Sequence, residues 1–396
     1  MAAEVTEISA PPAPGSPAFV RLVEALTQAP QRGGNRVTIL RNGHEIFPAM
    51  LEEIKLATQS VSLSAYIWWA GKAASDLADA LAERARSGVQ VRVLLDAWGS
   101  AKLDRAVVEM LERSGVVVVW FRPIRWYQLG KSNNRMHRRL LVVDGRVAFA
   151  GGVGIAEQWE GNLEQPDRWR ETHVKIEGPV VRDLTGAFLE NWVEAMAQIP
   201  GPEHLPDLQP FDDGVPVLVL RSSPTGGGTA TETLFLAAIE GAKERLWITT
   251  AYFAPRSGFV DLLCAAARRG VDVRILVNGQ PIDKEVVRKA GQRSYGRLLE
   301  DGVRMFEYEK ARLHAKVIIV DDGWVNIGSA NFDNRSFALE EELNVSIDDR
   351  KILKQLATHF LDDLASANEI DLESWRHRPI LDRARELASE LVRQSL

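Results

Sequence analysis

Two patterns alternate along this 396-residue chain. Stretches with apolar residues at helical spacing, such as ASDLADALAERAR and FVDLLCAAARR, are separated by short Val/Ile/Leu runs such as VQVRVLL and LLVV. The first kind predicts amphipathic helices; the second, bounded by turn residues, predicts buried strands. Their alternation predicts an α/β fold around a largely buried sheet.

The pattern is written twice. SAYIWWAGKAASDLADALAERARSGVQVRVLLD at 64–96 matches TAYFAPRSGFVDLLCAAARRGVDVRILVN at 250–278, element for element. LERSGVVVVWF at 111–121 matches LLEDGVRMFEY at 298–308, and HRRLLVVDGRVAFAGGVG at 137–154 matches HAKVIIVDDGWVNIGSAN at 314–331. The order is kept while loop lengths drift, which predicts two similar halves. IPGPEHLPDLQPFDDGVP at 199–216 has five prolines and no periodicity, so it is the natural seam. The expected division is an Ala/Pro-rich disordered tail at 1–20, a first half at 21–204 and a second at 205–396. The segment 379–396 reads as an amphipathic helix packing on the second half.

Composition narrows the function. Lys plus Arg number 48 against 54 Asp plus Glu, a net charge of −6, so the chain is no globally basic nucleic-acid binder. The one cysteine, Cys264, excludes an internal disulfide and a Cys-rich zinc site, and within its apolar run it reads as buried filler. No segment approaches the roughly 18–20 apolar residues that span a bilayer. The N-terminus lacks the basic and apolar regions of a secretory signal, which predicts a cytoplasmic protein.

The repeated segment with the most chemistry is H-x-[KR]-x4-D: His137, Arg139 and Asp144, then His314, Lys316 and Asp321. The runs LLVVD and VIIVD are predicted strands, where i and i+2 share a face, so each copy projects an imidazole and a cation together. Each strand leads to a small-residue turn, Gly151-Gly152 or Gly328-Ser329, that permits close approach of a ligand. An imidazole beside cations suits a phosphate oxyanion. Two such sites at a pseudo-two-fold give one histidine to attack phosphorus and one to protonate the leaving oxygen. A histidine pKa near 6.5 suits both tasks. This chemistry calls for no metal and no cofactor.

These residues resemble the phospholipase D superfamily with its two HKD motifs, and more narrowly the bacterial cardiolipin synthases that lack a transmembrane hairpin. LHAKVIIVDDGWVNIGSANFDNRSF at 313–337 carries H-x-K-x4-D followed by G-S-x-N-x-x-x-R-S. TAYFAP and WRETHVKIEGPVV also resemble family stretches, and the resemblance runs from about Val37 to about Ile347. It implies two pseudo-symmetric halves, each a mixed sheet flanked by helices, with the active site between them. It implies that His137 and His314 are the catalytic pair, His137 as nucleophile. Lys316, Asn331 and Ser329 would hold phosphate oxygens, with Arg139, Gly152, Gly154, Tyr66 and Tyr252 lining the site. Glu342 falls where a carboxylate would orient the second histidine, and Glu171 where one would orient the first. Asp144 and Asp321 are expected to be structural. Arg139 stands where most members have Lys, and Gly154 where most have Asn. Losing that amide removes donors worth roughly 1.5–3 kcal/mol each; either the additional donors of Arg139 replace them or the first half is weakened.

The stretch FRPIRWYQLGKSNNRMHRRL at 121–140 interleaves cations with aromatics and leads into His137. It reads as a lip, including Arg125 and Trp126, that docks on an anionic membrane and admits lipid. Trp68-Trp69 would either line the same entrance or pack in the core. His44, His173, His204, His359 and His377 lack the motif's escort and read as surface, linker or core residues. The implied function is transphosphatidylation, making cardiolipin from phosphatidylglycerol through a phosphatidyl-histidine, at the inner face of the membrane and without nucleic acid as partner. Hydrolysis of phospholipid, with water as acceptor, would use the same residues, and the basic, aromatic stretch would also suit a nuclease, against which the acidic net charge argues.

Overall fold

The computed structural model describes residues 11–123, 134–165, 167–199, 205–223, 230–280 and 285–378. The Val/Ile/Leu runs form strands buried along their whole length, for example Ser60–Ala65, Leu140–Val143 and Val317–Val320. Helices or the partner half cover both faces, which is why these runs are apolar without alternation.

The two halves share one strand order. In the first, strands run Gln31–Arg41, Thr172–Glu177, Val147–Gly151, Leu140–Val143, Ser60–Ala65, Gln90–Asp96 and Val117–Phe121. In the second, the matching order is Val215–Ser222, Glu340–Ile347, Trp324–Gly328, Val317–Val320, Arg245–Thr249, Asp272–Asn278 and Arg304–Tyr308. The last three strands of each series are parallel and joined by helical crossovers, Lys72–Arg86 and Arg105–Arg113 in one half, Ser257–Arg268 and Glu285–Glu300 in the other. Gln31–Arg41 links the halves: its start pairs with Val215–Ser222 and its remainder with Thr172–Glu177. The described residues therefore form a single 16-stranded sheet rather than two separate ones. A shared core lies between the halves, where Leu184, Phe188 and Trp192 of the helix Val181–Met196 join Leu353, Leu356 and Phe360 of the helix Arg350–Leu364.

The tail expectation is corrected for its described part, while residues 1–10 lie outside the described residues. Ser16 caps a helix at Pro17–Thr27, accepting from Phe19 N at 3.2 Å, with proline at its start. Phe19 and Val23 are buried against Leu234, Phe235 and other residues of the second half. Burying that aromatic face orders the segment, and it attaches residues numbered with the first half to the second. The expected helix at 379–396 lies outside the described residues. Cys264 is buried, and burial pushes its thiol up to about 12.

Asp144 and Asp321 hold the far ends of the motif strands. The Asp144 carboxylate accepts from Thr58 N, Thr58 Oγ1, Gln59 N and Ser60 N, and Asp321 accepts from Lys243 N, Glu244 N and Arg245 N. Partial burial pushes the Asp144 carboxyl up, but the bonds from Ser60, Thr58 and Gln59 outweigh it and hold the group below its ordinary value. Asp144→Ala is expected to cost about 2–3 kcal/mol, the worth of charge-assisted bonds to the backbone. Thermal unfolding would show a melting temperature lower by several degrees, with turnover per folded molecule retained. An unchanged melting temperature would contradict this role.

Candidate active site

The histidines sit just before their strands, in short segments stitched across the pseudo-dyad. Arg135–Met136 pairs in parallel with Glu340–Glu341 of the second half. Arg312–Leu313 pairs in parallel with Trp169–Arg170 of the first. His137 N donates to Glu341 O at 3.0 Å, and His314 N to Arg170 O at 2.8 Å. Each segment is also held from its own half. Met136 N donates to Asp96 Oδ2 at 3.0 Å, and Leu313 N to Asn278 Oδ1 at 2.6 Å.

This stitching corrects the carboxylate assignment. His137 Nδ1 lies 2.9 Å from Glu342 Oε1, and His314 Nδ1 lies 2.6 Å from Glu171 Oε2. Each carboxylate thus orients the histidine of the other half. The cause is register: pairing Met136 with Glu341 sets His137 opposite Glu342, and pairing Leu313 with Arg170 sets His314 opposite Glu171. Burial pushes the Glu171 carboxyl up to about 7, against the pull of Lys316, the Thr172 N–H, Arg139 and Arg170. Burial also raises Glu342, opposed by the Ser329 hydrogen bond and by Arg139.

The cations differ between halves. Arg139 donates to His137 O at 2.7 Å and approaches His137 Nε2 at 2.8 Å, with its guanidinium 5.4 Å from the Tyr66 ring centre. Burial pulls the Arg139 pKa down, opposed by Glu342, Glu171 and Glu340. Lys316 Nζ donates to His314 O and lies 3.0 Å from His314 Nδ1. Arg139 Nε and Asn331 Oδ1 are buried without a hydrogen-bond partner among the described residues. Tyr66 meets His137 edge-on at 4.9 Å. Tyr252 is buried, and its carbonyl accepts from Phe332 N, next to Asn331.

Three expected roles change. Ser329 Oγ donates to Glu342 and accepts from Leu343 N, so it positions a carboxylate instead of reaching for phosphate. Gly152 makes room for Glu171, since a Cβ there would lie 2.7 Å from both carboxylate oxygens. Gly154 makes room for Trp159, whose ring a Cβ would meet at 2.8 Å. Trp159 is buried and, with Trp169, walls His314 at 5.2 and 4.9 Å between ring centres. Gly154→Asn, which restores the usual family residue, is therefore expected to harm the protein. Overpacking costs about 1–3 kcal/mol, so melting temperature and turnover would both fall. A gain in either would contradict the packing argument.

The membrane lip is corrected only at its ends, because 124–133, Arg125 and Trp126 among them, lie outside the described residues. The described cations of that stretch face inward. Arg122 pairs with Glu194 and Glu341, Arg138 with Glu190 and Glu341, Arg135 is buried beside Asp96, and Arg139 is in the site. Carboxylates on the facing elements, Glu341 and Asp96 buried and Glu190 and Glu194 more exposed, took these charges, which no pattern in the stretch itself reveals. Trp68 is core, while Trp69 is half-buried. His173 is core too, pushed down to about 3 by burial and by nearby Arg139. His359 is half-buried, His44 and His377 are exposed, and His204 lies outside the described residues.

Sequence reasoning missed Glu340. Its Oε2 lies 3.3 Å from His137 Nδ1, and its Oε1 accepts from Arg335 Nε at 2.7 Å. Alternation along the strand Glu340–Ile347 was the available signal, because Glu340 shares a face with Glu342. Ligand atoms of His137, Glu340 and Glu342 lie within 4.8 Å of one another, the spacing a cation would need. Arg335 and Arg139 already supply positive charge to that cluster.

A two-fold repeated α/β chain with paired, carboxylate-backed histidines on its dyad defines the phospholipase D-like class. The fold aligns with phosphatidylserine synthase of Haemophilus influenzae Rd KW20 at TM-score 0.73, covering 96% of this chain and 100% of that one at 16% identity, a likeness of fold alone. The family described as "Cardiolipin synthase, PLD-like domain" matches residues 50–192 and 235–364. A cardiolipin synthase of Geobacillus sp. (strain WCH70) is 35% identical over 377 residues, 94% of this chain and 75% of that protein. Cardiolipin synthase A of Pseudomonas putida (strain GB-1) is 37% identical over 360 residues, 91% and 74%. The chain belongs to the cardiolipin synthase family of phospholipase D-like phosphatidyltransferases.

Proposed function

We propose that this enzyme joins two phosphatidylglycerol molecules into cardiolipin and glycerol, with His137 as nucleophile and His314 as acid and base. The observation that carries the reading is the crossed pair His137–Glu342 and His314–Glu171, with Arg139 and Lys316 beside the two imidazoles. A carboxylate on Nδ1 fixes the tautomer and leaves Nε2 facing substrate. Arg139 covers Nε2 of His137 in the free enzyme. A bound phosphodiester would draw the guanidinium to its oxygens and uncover that lone pair.

In the first step His137 Nε2 bonds to phosphorus, the bond to the headgroup glycerol oxygen breaks, and His314 gives that oxygen its proton. In the second, a hydroxyl of another phosphatidylglycerol attacks phosphorus and passes its proton to His314. The P–N bond then breaks. Glu171, Glu340 and Glu342 balance Arg139, Lys316 and Arg335 in formal charge. The proton on His314 therefore offsets the charge of the incoming phosphodiester. Asn331 is assigned to the phosphate, with Tyr66 and Tyr252 lining its approach. The enzyme is assigned to the inner face of the membrane as a peripheral protein. No helix among the described residues is long and apolar enough to cross a membrane.

The test is incubation with labelled phosphatidylglycerol vesicles, resolved by chromatography and mass spectrometry. Cardiolipin plus glycerol supports the proposal. Phosphatidic acid alone would make the enzyme a hydrolase, and no product would overturn the donor assignment.

A further inference from the structure

We propose that Trp98, Trp69 and Lys102 form the rim by which this enzyme docks on an anionic lipid bilayer, an inference that rests on the phospholipid reading above. Trp98 is 64% exposed, the only aromatic among the exposed large apolar side chains of the described residues. It sits in the turn after the strand Gln90–Asp96, while Trp69 follows the parallel neighbour Ser60–Ala65. The same sheet end carries Tyr66 and His137, so this rim borders the site.

The rim is rigidly tied to the chemistry. Buried Asp96 accepts from Trp98 N and Gly99 N at 2.9 Å through one oxygen and from Met136 N, next to His137, through the other. Ser100 Oγ donates to Tyr66 O, and Trp69 Nε1 donates to Gly99 O at 2.8 Å. The Trp98 side chain projects from a turn whose N–H groups from Ala97 to Ala101 are all hydrogen-bonded. An indole suits the bilayer interface, being apolar in body with one polar N–H. The Lys102 ammonium lies 4.5 Å from the Trp69 ring centre and has no ion pair among the described residues, so it is available to anionic headgroups. Two indoles, that of Trp69 half-buried, and one cation fall far short of the roughly 800 Å² per partner that a stable protein interface buries, which favours a lipid surface over a second protein. The inward pairing of Arg122, Arg135, Arg138 and Arg139 removes those cations from this duty.

Co-sedimentation with phosphatidylcholine vesicles, with and without phosphatidylglycerol, tests the proposal. Trp98→Ser is expected to weaken binding by roughly tenfold. Lys102→Ser is expected to weaken it by roughly fivefold, only on vesicles carrying phosphatidylglycerol and mainly at low salt. Leu361→Ser, at another exposed apolar position, should bind as wild type, and melting temperatures check folding of all three. Brominated lipids should quench the fluorescence that wild type has and Trp98→Phe lacks. Wild-type binding by Trp98→Ser, or no such quenching, would overturn the proposal, as would a dimer lost in Trp98→Ser while vesicle binding persists. Vesicle binding through Trp98 without cardiolipin synthesis would sink the functional reading alone. Cardiolipin synthesis with unaffected binding by Trp98→Ser would sink the docking surface alone.

Discussion

His137→Ala and His314→Ala are each expected to lower turnover by at least roughly 10³-fold, because one removes the nucleophile and the other the proton donor. The two losses differ in kind. His137→Ala forms no covalent intermediate. His314→Ala retains a nucleophile but can neither protonate the leaving glycerol oxygen nor activate the acceptor hydroxyl. A donor whose leaving group needs no proton, such as a phosphatidyl nitrophenol, is therefore used, and with it a phosphatidyl group accumulates on His137. Intact-protein mass spectrometry after a short incubation, quenched above neutral pH to preserve the acid-labile P–N bond, reads the difference. Near-wild-type rates in either variant would refute the two-histidine mechanism. An adduct in His137→Ala would reverse the roles.

Glu342→Gln and Glu171→Gln are expected to cost roughly 10²–10⁴-fold, since an amide keeps the shape but no longer fixes the imidazole tautomer or supports its charge. The crossed geometry makes the readout specific. With histidines labelled in nitrogen-15, Glu342→Gln should shift the ring signals of His137, in the other half, and leave those of His314. Glu171→Gln should do the reverse. Matching within each half instead would contradict the structure. The pH profile separates the two carboxylates as well. Glu171, pushed up to about 7, is ionised above that pH and takes a proton as pH falls through it. Protonation withdraws its charge from His314, so activity should decline on the acid side with an apparent pKa near 7. That limb should be lost in Glu171→Gln. Its persistence there would assign it to another group.

The repeat and the motif positions were legible because periodicity and spacing are local properties of the chain. Asp144 and Asp321 were correctly set apart from the chemistry, four residues beyond a strand start and turned back onto the backbone. The carboxylate assignment failed because Glu171 and Glu342 lie in their own halves in sequence, yet parallel pairing across the dyad hands each to the opposite histidine. The flanks of the basic lip were misread for a related reason. Arg122 and Arg138 look like free surface charge until Glu341, more than two hundred residues later, is folded beneath them. Gly154 read as a lost donor, whereas the space is held by Trp159, five residues on.

The sequence by itself determined the α/β class, the duplication and the two H-x-[KR]-x4-D motifs for which the chemistry is proposed. Local apolar periodicity selects helices and strands, and phosphoryl transfer needs those residue types. The tertiary structure decided who partners whom. Cross-dyad pairing, the burial of Glu171 and Glu342, the inward turn of the arginines and the outward turn of Trp98 all depend on contacts between residues distant in the chain. No local pattern encodes such contacts, because their energies arise only when desolvation and register act together.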